Sequence, residues 1–113
     1  MPFQHPLPDE IVELIARRLR VIGDPTRIKL LDYLRGGEAS AQELCDAVGS
    51  TQQNVSKHLA VLADAGIVAR RREGAFTRYR VVDEDVYRLC EEVCGAMERR
   101  LDSLRDVLHG VAR

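Results

Sequence analysis

The sequence predicts a mainly α-helical fold with one β-hairpin, on three observations. Apolar residues recur at helical spacing in five separate stretches, capping residues and glycines punctuate those stretches, and one short segment switches to period-two alternation. At 113 residues the chain reads as one compact domain with a modest core, small enough that pairing with a second copy would bury useful extra surface.

Asp9 to Ile22 sets Ile11, Val12, Ile15, Leu19 and Ile22 between charged positions, an amphipathic helix stopped by Gly23. Asp24 and Pro25 form a cap and a first-turn proline, and Ile28, Leu31 and Leu34 then repeat until Gly36 and Gly37. Ser40 and Glu43 fit a capping box that opens a short helix closed by Gly49. Ser50 or Thr51 caps the next helix, whose Val55, Leu59 and Leu62 make one apolar stripe before Gly66. Two helices joined by a few residues around a glycine are the spacing of a helix-turn-helix, here about residues 41–65. A hairpin follows over about 67–82, turning at Gly74 and Ala75, with Tyr79 and Val81 expected on the packed face and arginines on the other. Asp83 is expected to cap a last helix, about 83–110, with apolar residues at 86, 90, 93, 97, 101, 104, 108 and 111, a seam that asks for a partner helix. The proline-rich residues 1–8 are expected to be a flexible arm, leaving 9–113 as a single winged-helix domain.

The formal net charge of -1 argues against a nucleic-acid binder only while it is averaged. Residues 51–82 carry Lys57, Arg70, Arg71, Arg72, Arg78 and Arg80 against Asp64 and Glu73, whereas residues 83–113 carry eight acids and five bases. The basic segment coincides with the second helix of the helix-turn-helix and with the hairpin. That helix needs short polar side chains outside its apolar stripe to reach base edges, and Thr51, Gln52, Gln53, Asn54, Ser56, Lys57 and His58 supply them. The guanidinium groups of Arg70, Arg71, Arg72, Arg78 and Arg80 suit phosphate oxygens. A module that binds protein would instead expose apolar residues on that helix, and a thiol enzyme pairing Cys45 with His58 would need both in one open cleft. No apolar run approaches the ~18 residues of a membrane span, so a cytoplasmic protein without a membrane partner is expected.

The same residues resemble the ArsR/SmtB winged-helix repressors of bacteria over about residues 9–100. The likeness lies in Gly23-Asp24-Pro25-Thr26-Arg27 followed by Ile28 to Leu31, in Glu43-Leu44-Cys45 leading to Val48-Gly49, and in Gln52 through Leu59. It continues from Leu62 to Gly66-Ile67-Val68 and from Gly74 to Tyr79-Arg80-Val81. The resemblance implies a homodimer through the N- and C-terminal helices that represses a double-stranded DNA operator of inverted-repeat sequence and releases it when an inducer binds.

The inducer sites of such repressors are not repeated here. Where a Cys-x-Cys pair would precede the third helix the chain has Gly37 to Ala41, and the zinc pattern of the last helix falls on Asp83, Asp85, Ala96 and Arg99, of which only the first fits. Zinc at these sites is not expected. Cys45 falls where a small core residue belongs. Cys90 and Cys94 stand one turn apart on the last helix, open to three readings: small apolar side chains, thiolate ligands for As(III), Sb(III) or Cu(I), or a redox pair bridging subunits or reaching Cys45. His5 and His109 are too scattered to mark a site.

Overall fold

The computed structural model describes residues 4–110. Its elements run α1 (Asp9–Ile22), α2 (Pro25–Leu34), β1 (Ala39–Ser40), α3 (Ala41–Val48), α4 (Gln52–Asp64), β2 (Val68–Glu73), β3 (Phe76–Val81) and α5 (Asp85–Leu108). They fall into two compact units, one ending at Asp83 and one beginning at Glu84.

Local chemistry sets the boundaries in the first unit. The Asp24 carboxylate accepts from the backbone N–H groups of Thr26 (2.9 Å) and Arg27 (3.1 Å), which starts α2 on Pro25. Ser40 and Glu43 complete the capping box reciprocally at 3.1 and 3.3 Å, and Gly49 ends α3 with φ of 65°. Thr51 Oγ1 accepts from the Asn54 N–H at 3.1 Å and starts α4. At the hairpin, Gly74 takes a φ of 60° whereas Ala75 keeps φ negative, the pattern of a II′ turn. The strands order β1-β3-β2, all antiparallel, with Ala39 opposite Tyr79 and Arg70 opposite Tyr79 from the other side.

The core gathers Leu30, Leu31 and Leu34 of α2, Leu44 and Cys45 of α3, Val55, Leu59 and Leu62 of α4, with Ile67, Val68 and Tyr79 from the hairpin. Three expectations change. Leu30 is fully buried where a three-residue rhythm pointed to Ile28, which is 44% exposed. The two buried positions Leu30 and Leu31 adjoin because α2 meets both α3 and α4 and so buries a wide stripe. Asp83 does not cap α5: its carboxylate pairs with Arg18, whose Nη1 also donates to the Ala65 carbonyl at 2.7 Å. Arginines occupy both hairpin faces, because the register puts Arg70 and Arg72 on the side of Tyr79 and Thr77, and Arg71 opposite Arg78 on the other.

The second unit is α5, 24 residues long with no side-chain cap at Glu84. Val86 is buried, whereas Val93, Met97, Leu101, Leu104 and Leu108 are exposed in a helical row; Val111, the last expected member, lies outside the described residues, as do the first three of the expected arm. Val12, Leu14, Ile15 and Leu19 of α1 are also exposed. Among the described residues no helix is long and apolar enough to cross a membrane.

Truncating Leu62 to alanine leaves a cavity at the centre of the first unit and should cost about 2–5 kcal/mol, whereas Ile28→Ala should change stability by about 0.5 kcal/mol or less. Denaturant unfolding at one protein concentration checks both.

Candidate nucleic-acid interface

α4 shows two faces. Val55, Leu59 and Leu62 are buried, while Gln52, Gln53, Ser56 and Lys57 are exposed in two (i, i+4) pairs over its first turns. Side chains at the N-terminal end of such a helix are the ones that reach major-groove base edges, and glutamine can pair bidentately with adenine. Thr51 and Asn54 flank this face but are partly engaged: Thr51 caps the helix, and Asn54 Nδ2 donates to Ser50 Oγ at 2.8 Å.

His58 departs from the expected site. Only 9% exposed, it turns to the α1–α2 corner, where its Nδ1 lies 3.0 Å from Arg27 Nη1 and 3.8 Å from Asp24 Oδ1. The Arg27 guanidinium also donates through Nε to the Val21 carbonyl (2.5 Å) and through Nη2 to that of Arg20 (3.2 Å), closing the end of α1. The Asp24 carboxyl sits below its usual range, chiefly because the Arg27 backbone N–H binds its ionised form, with the His58 and Arg27 side chains adding to it. Sequence reasoning missed this corner because the partners lie 31 positions apart.

The wing arginines divide. Arg70 and Arg72 line a depression with Thr77 and Tyr79, and among the described residues Arg70, Arg72 and Arg80 have no carboxylate partner. Arg71 is held by Glu38 and by Glu73, the latter at 2.8 Å, and Arg78 lies 3.4 Å from Glu73 and 3.7 Å from Glu43. Glu38 and Glu73 both sit below the usual carboxylate range, first because Arg71 donates to them. Arg71 and Glu73 share a strand face two residues apart, so that pair was legible in sequence, but Glu38 was not. At the wing tip Phe76, 64% exposed, edges a groove shared with Gln52, Gln42 and Ser40, a further contact surface that no pattern had marked.

Of the thiols, Cys45 is buried in α3, Cys90 is half-buried and Cys94 exposed on α5. Burial gives Cys45 no open cleft in which to act with His58 as a nucleophile. Among the described residues no group of three or more His, Cys, Asp and Glu side chains is placed to hold a metal ion.

Asp24→Ala removes two accepted hydrogen bonds and should cost about 1 kcal/mol at neutral pH. Because the folded-state carboxyl titrates below the unfolded one, this contribution is present above the ordinary carboxylate range and is lost as pH falls from there through the lower folded-state value. The stability difference between variant and wild type, followed by denaturant unfolding, should therefore shrink in acid.

Residues 22–71 match the model of a helix-turn-helix domain. The chain is 40% identical over 86 residues to a "Probable mercury resistance operon repressor" of Streptomyces lividans, a match spanning 76% of this chain and 64%, less than two thirds, of that relative. It is 31% identical to the solved AntR antimony-specific transcriptional repressor, with a TM-score of 0.73 over 90% of this chain and 92% of that one. A homodimeric winged helix-turn-helix DNA-binding domain from Mycobacterium bovis, "a possible ArsR-family transcriptional regulator", aligns with a TM-score of 0.72 and 29% identity over 91% of this chain and 95% of that one. With its wing, its helix-turn-helix and these likenesses together, the chain belongs to the ArsR/SmtB family of winged helix-turn-helix transcriptional repressors, which are DNA-binding regulators and not enzymes.

Proposed function

We propose that the protein is a homodimeric repressor that reads an inverted-repeat operator through α4 and the wing, and leaves it when a soft, thiol-seeking ion reaches Cys90 and Cys94. The observation that carries the DNA reading is the joint exposure of Gln52, Gln53, Ser56 and Lys57 on α4 and of Arg70, Arg72 and Arg80 on the wing, which among the described residues lack carboxylate partners. The glutamines select bases and the arginines hold phosphates. The outward face of α4 offers no apolar side chain, which disfavours a protein-binding module. The apolar rows of α1 and α5 each ask for cover, and a second copy supplies both. A two-fold dimer then reads two half-sites about one helical turn, roughly 34 Å, apart.

The spacing of the thiols supports this inducer reading. Cysteines at (i, i+4) have Cβ atoms about 5–6 Å apart, wide for a disulfide, which wants roughly 3.5–4.5 Å. One thiophilic ion can accept both sulfurs, and a dimer brings two more. Arsenite, antimonite or monovalent copper fits this donor set, and the names of two relatives speak of mercury resistance and of antimony. Cys45 is buried, which disfavours it as a partner in a redox bridge.

Two outcomes are expected. On duplexes selected from a random pool, Gln53→Ala should flatten preference at particular base pairs, whereas Arg70→Ala and Arg80→Ala should weaken all sequences and each lower the salt slope by about 0.9; equal sequence preference in the Gln53 variant contradicts the assignment of α4. The variant with Cys90→Ser and Cys94→Ser should stay on DNA at arsenite, antimonite or copper(I) concentrations that release the wild type. Release of both alike assigns the thiols a structural role.

A further inference from the structure

Arg71 and Arg78 face each other across the hairpin, a like-charge pairing that disfavours the strand register unless something offsets it. The offset comes from carboxylates. Glu38, in the turn before β1, receives Arg71 Nε at 3.3 Å and Nη2 at shorter range, and Glu73 receives Arg71 Nη1 at 2.8 Å. Each guanidinium nitrogen of Arg71 thus already points at a carboxylate oxygen, two of them in the bidentate fork that a phosphate would otherwise occupy. Glu73 reaches Arg78 as well, 3.4 Å from its Nε. A DNA phosphate arriving at Arg71 would have to displace one carboxylate and lie beside the other, whereas one arriving at Arg70, Arg72 or Arg80 meets no such competitor among the described residues.

We propose that Glu38 and Glu73 are internal counter-anions that withhold Arg71 from the DNA backbone and so set an upper limit on sequence-independent affinity. This rests on the reading of the wing as a DNA clamp. The arginine run of β2 is therefore not a uniform phosphate-binding strip: its outer members act on DNA, and its middle member ties the wing to the turn before β1. Sequence-independent attraction scales with the number of phosphates neutralised. Withdrawing one arginine keeps the protein from being held wherever it lands, leaving the α4 contacts a larger share of the discrimination.

The test measures binding to a random-sequence duplex across a salt series for the wild type and for Glu38→Gln with Glu73→Gln. The amide keeps an oxygen that accepts from Arg71 but drops the charge, so the hairpin stays tied. The double variant should bind about fivefold more tightly near 0.15 M salt, with a slope steeper by about 0.9, the effect of one added phosphate contact. Glu98→Gln, on α5, makes a single charge change outside the hairpin sequence and should leave the slope as it is. An unchanged or shallower slope in the double variant, or an equal gain from Glu98→Gln, overturns the counter-anion role. A wild type that binds no duplex at any salt instead overturns the DNA-clamp reading itself, and with it this inference.

Discussion

The Arg27 guanidinium holds the molecule's working parts in one relation. Through Nε and Nη2 it closes the carbonyl end of α1 and through Nη1 it reaches His58 in the middle of α4, while the backbone N–H of the same residue completes the Asp24 cap of α2. A recognition helix must present one face at a fixed angle, and Val55, Leu59 and Leu62 alone would permit it to roll, since apolar contacts have no direction. A hydrogen bond from Arg27 to the ring of His58 supplies that direction. When the ring is neutral it can accept there only through an unprotonated Nδ1, with its proton on Nε2. The outward set of Gln52, Gln53, Ser56 and Lys57 is then the complement of an inward set that both packing and polar contacts define.

Most of the fold was legible because its boundaries rest on local chemistry. The Asp24 cap with Pro25, the Ser40–Glu43 box and the Gly74 turn each involve residues within a few positions, and the structure forms all of them. What was not legible is tertiary. His58 carries a polar side chain on a polar helix, so its inward turn depends on Arg27, a residue from another element. Asp83 stands where a cap belongs, yet Arg18 of α1 claims it. Glu38 lies in a loop with no pattern, and its partner arrives only when the hairpin folds back. Period-two alternation located the hairpin, but the arginine run fills every position of β2 from 70 to 72, so alternation could not say which arginine shares a face with Tyr79.

Charge and shape converge on the same surface. A chain of net charge -1 carries a net positive balance over α4 and the wing and an excess of acid on α5. That distribution directs one face to a polyanion while the low total limits long-range attraction to nucleic acid at large. The apolar rows on α1 and α5 are exposed and suit the second copy proposed above, and the two thiols of α5 lie along the same helix as one of those rows. On the proposed reading, a signal bound there acts on pairing and, through a two-fold arrangement, on the spacing of the recognition helices.

Amide hydrogen exchange of the dimer, with and without a duplex selected from a random pool, tests the central assignment most directly. DNA should slow exchange in residues 51–57 at the start of α4 and across the wing from Val68 to Val81, with α5 unchanged. Protection confined to α1 or α5, or none in α4, would contradict the account.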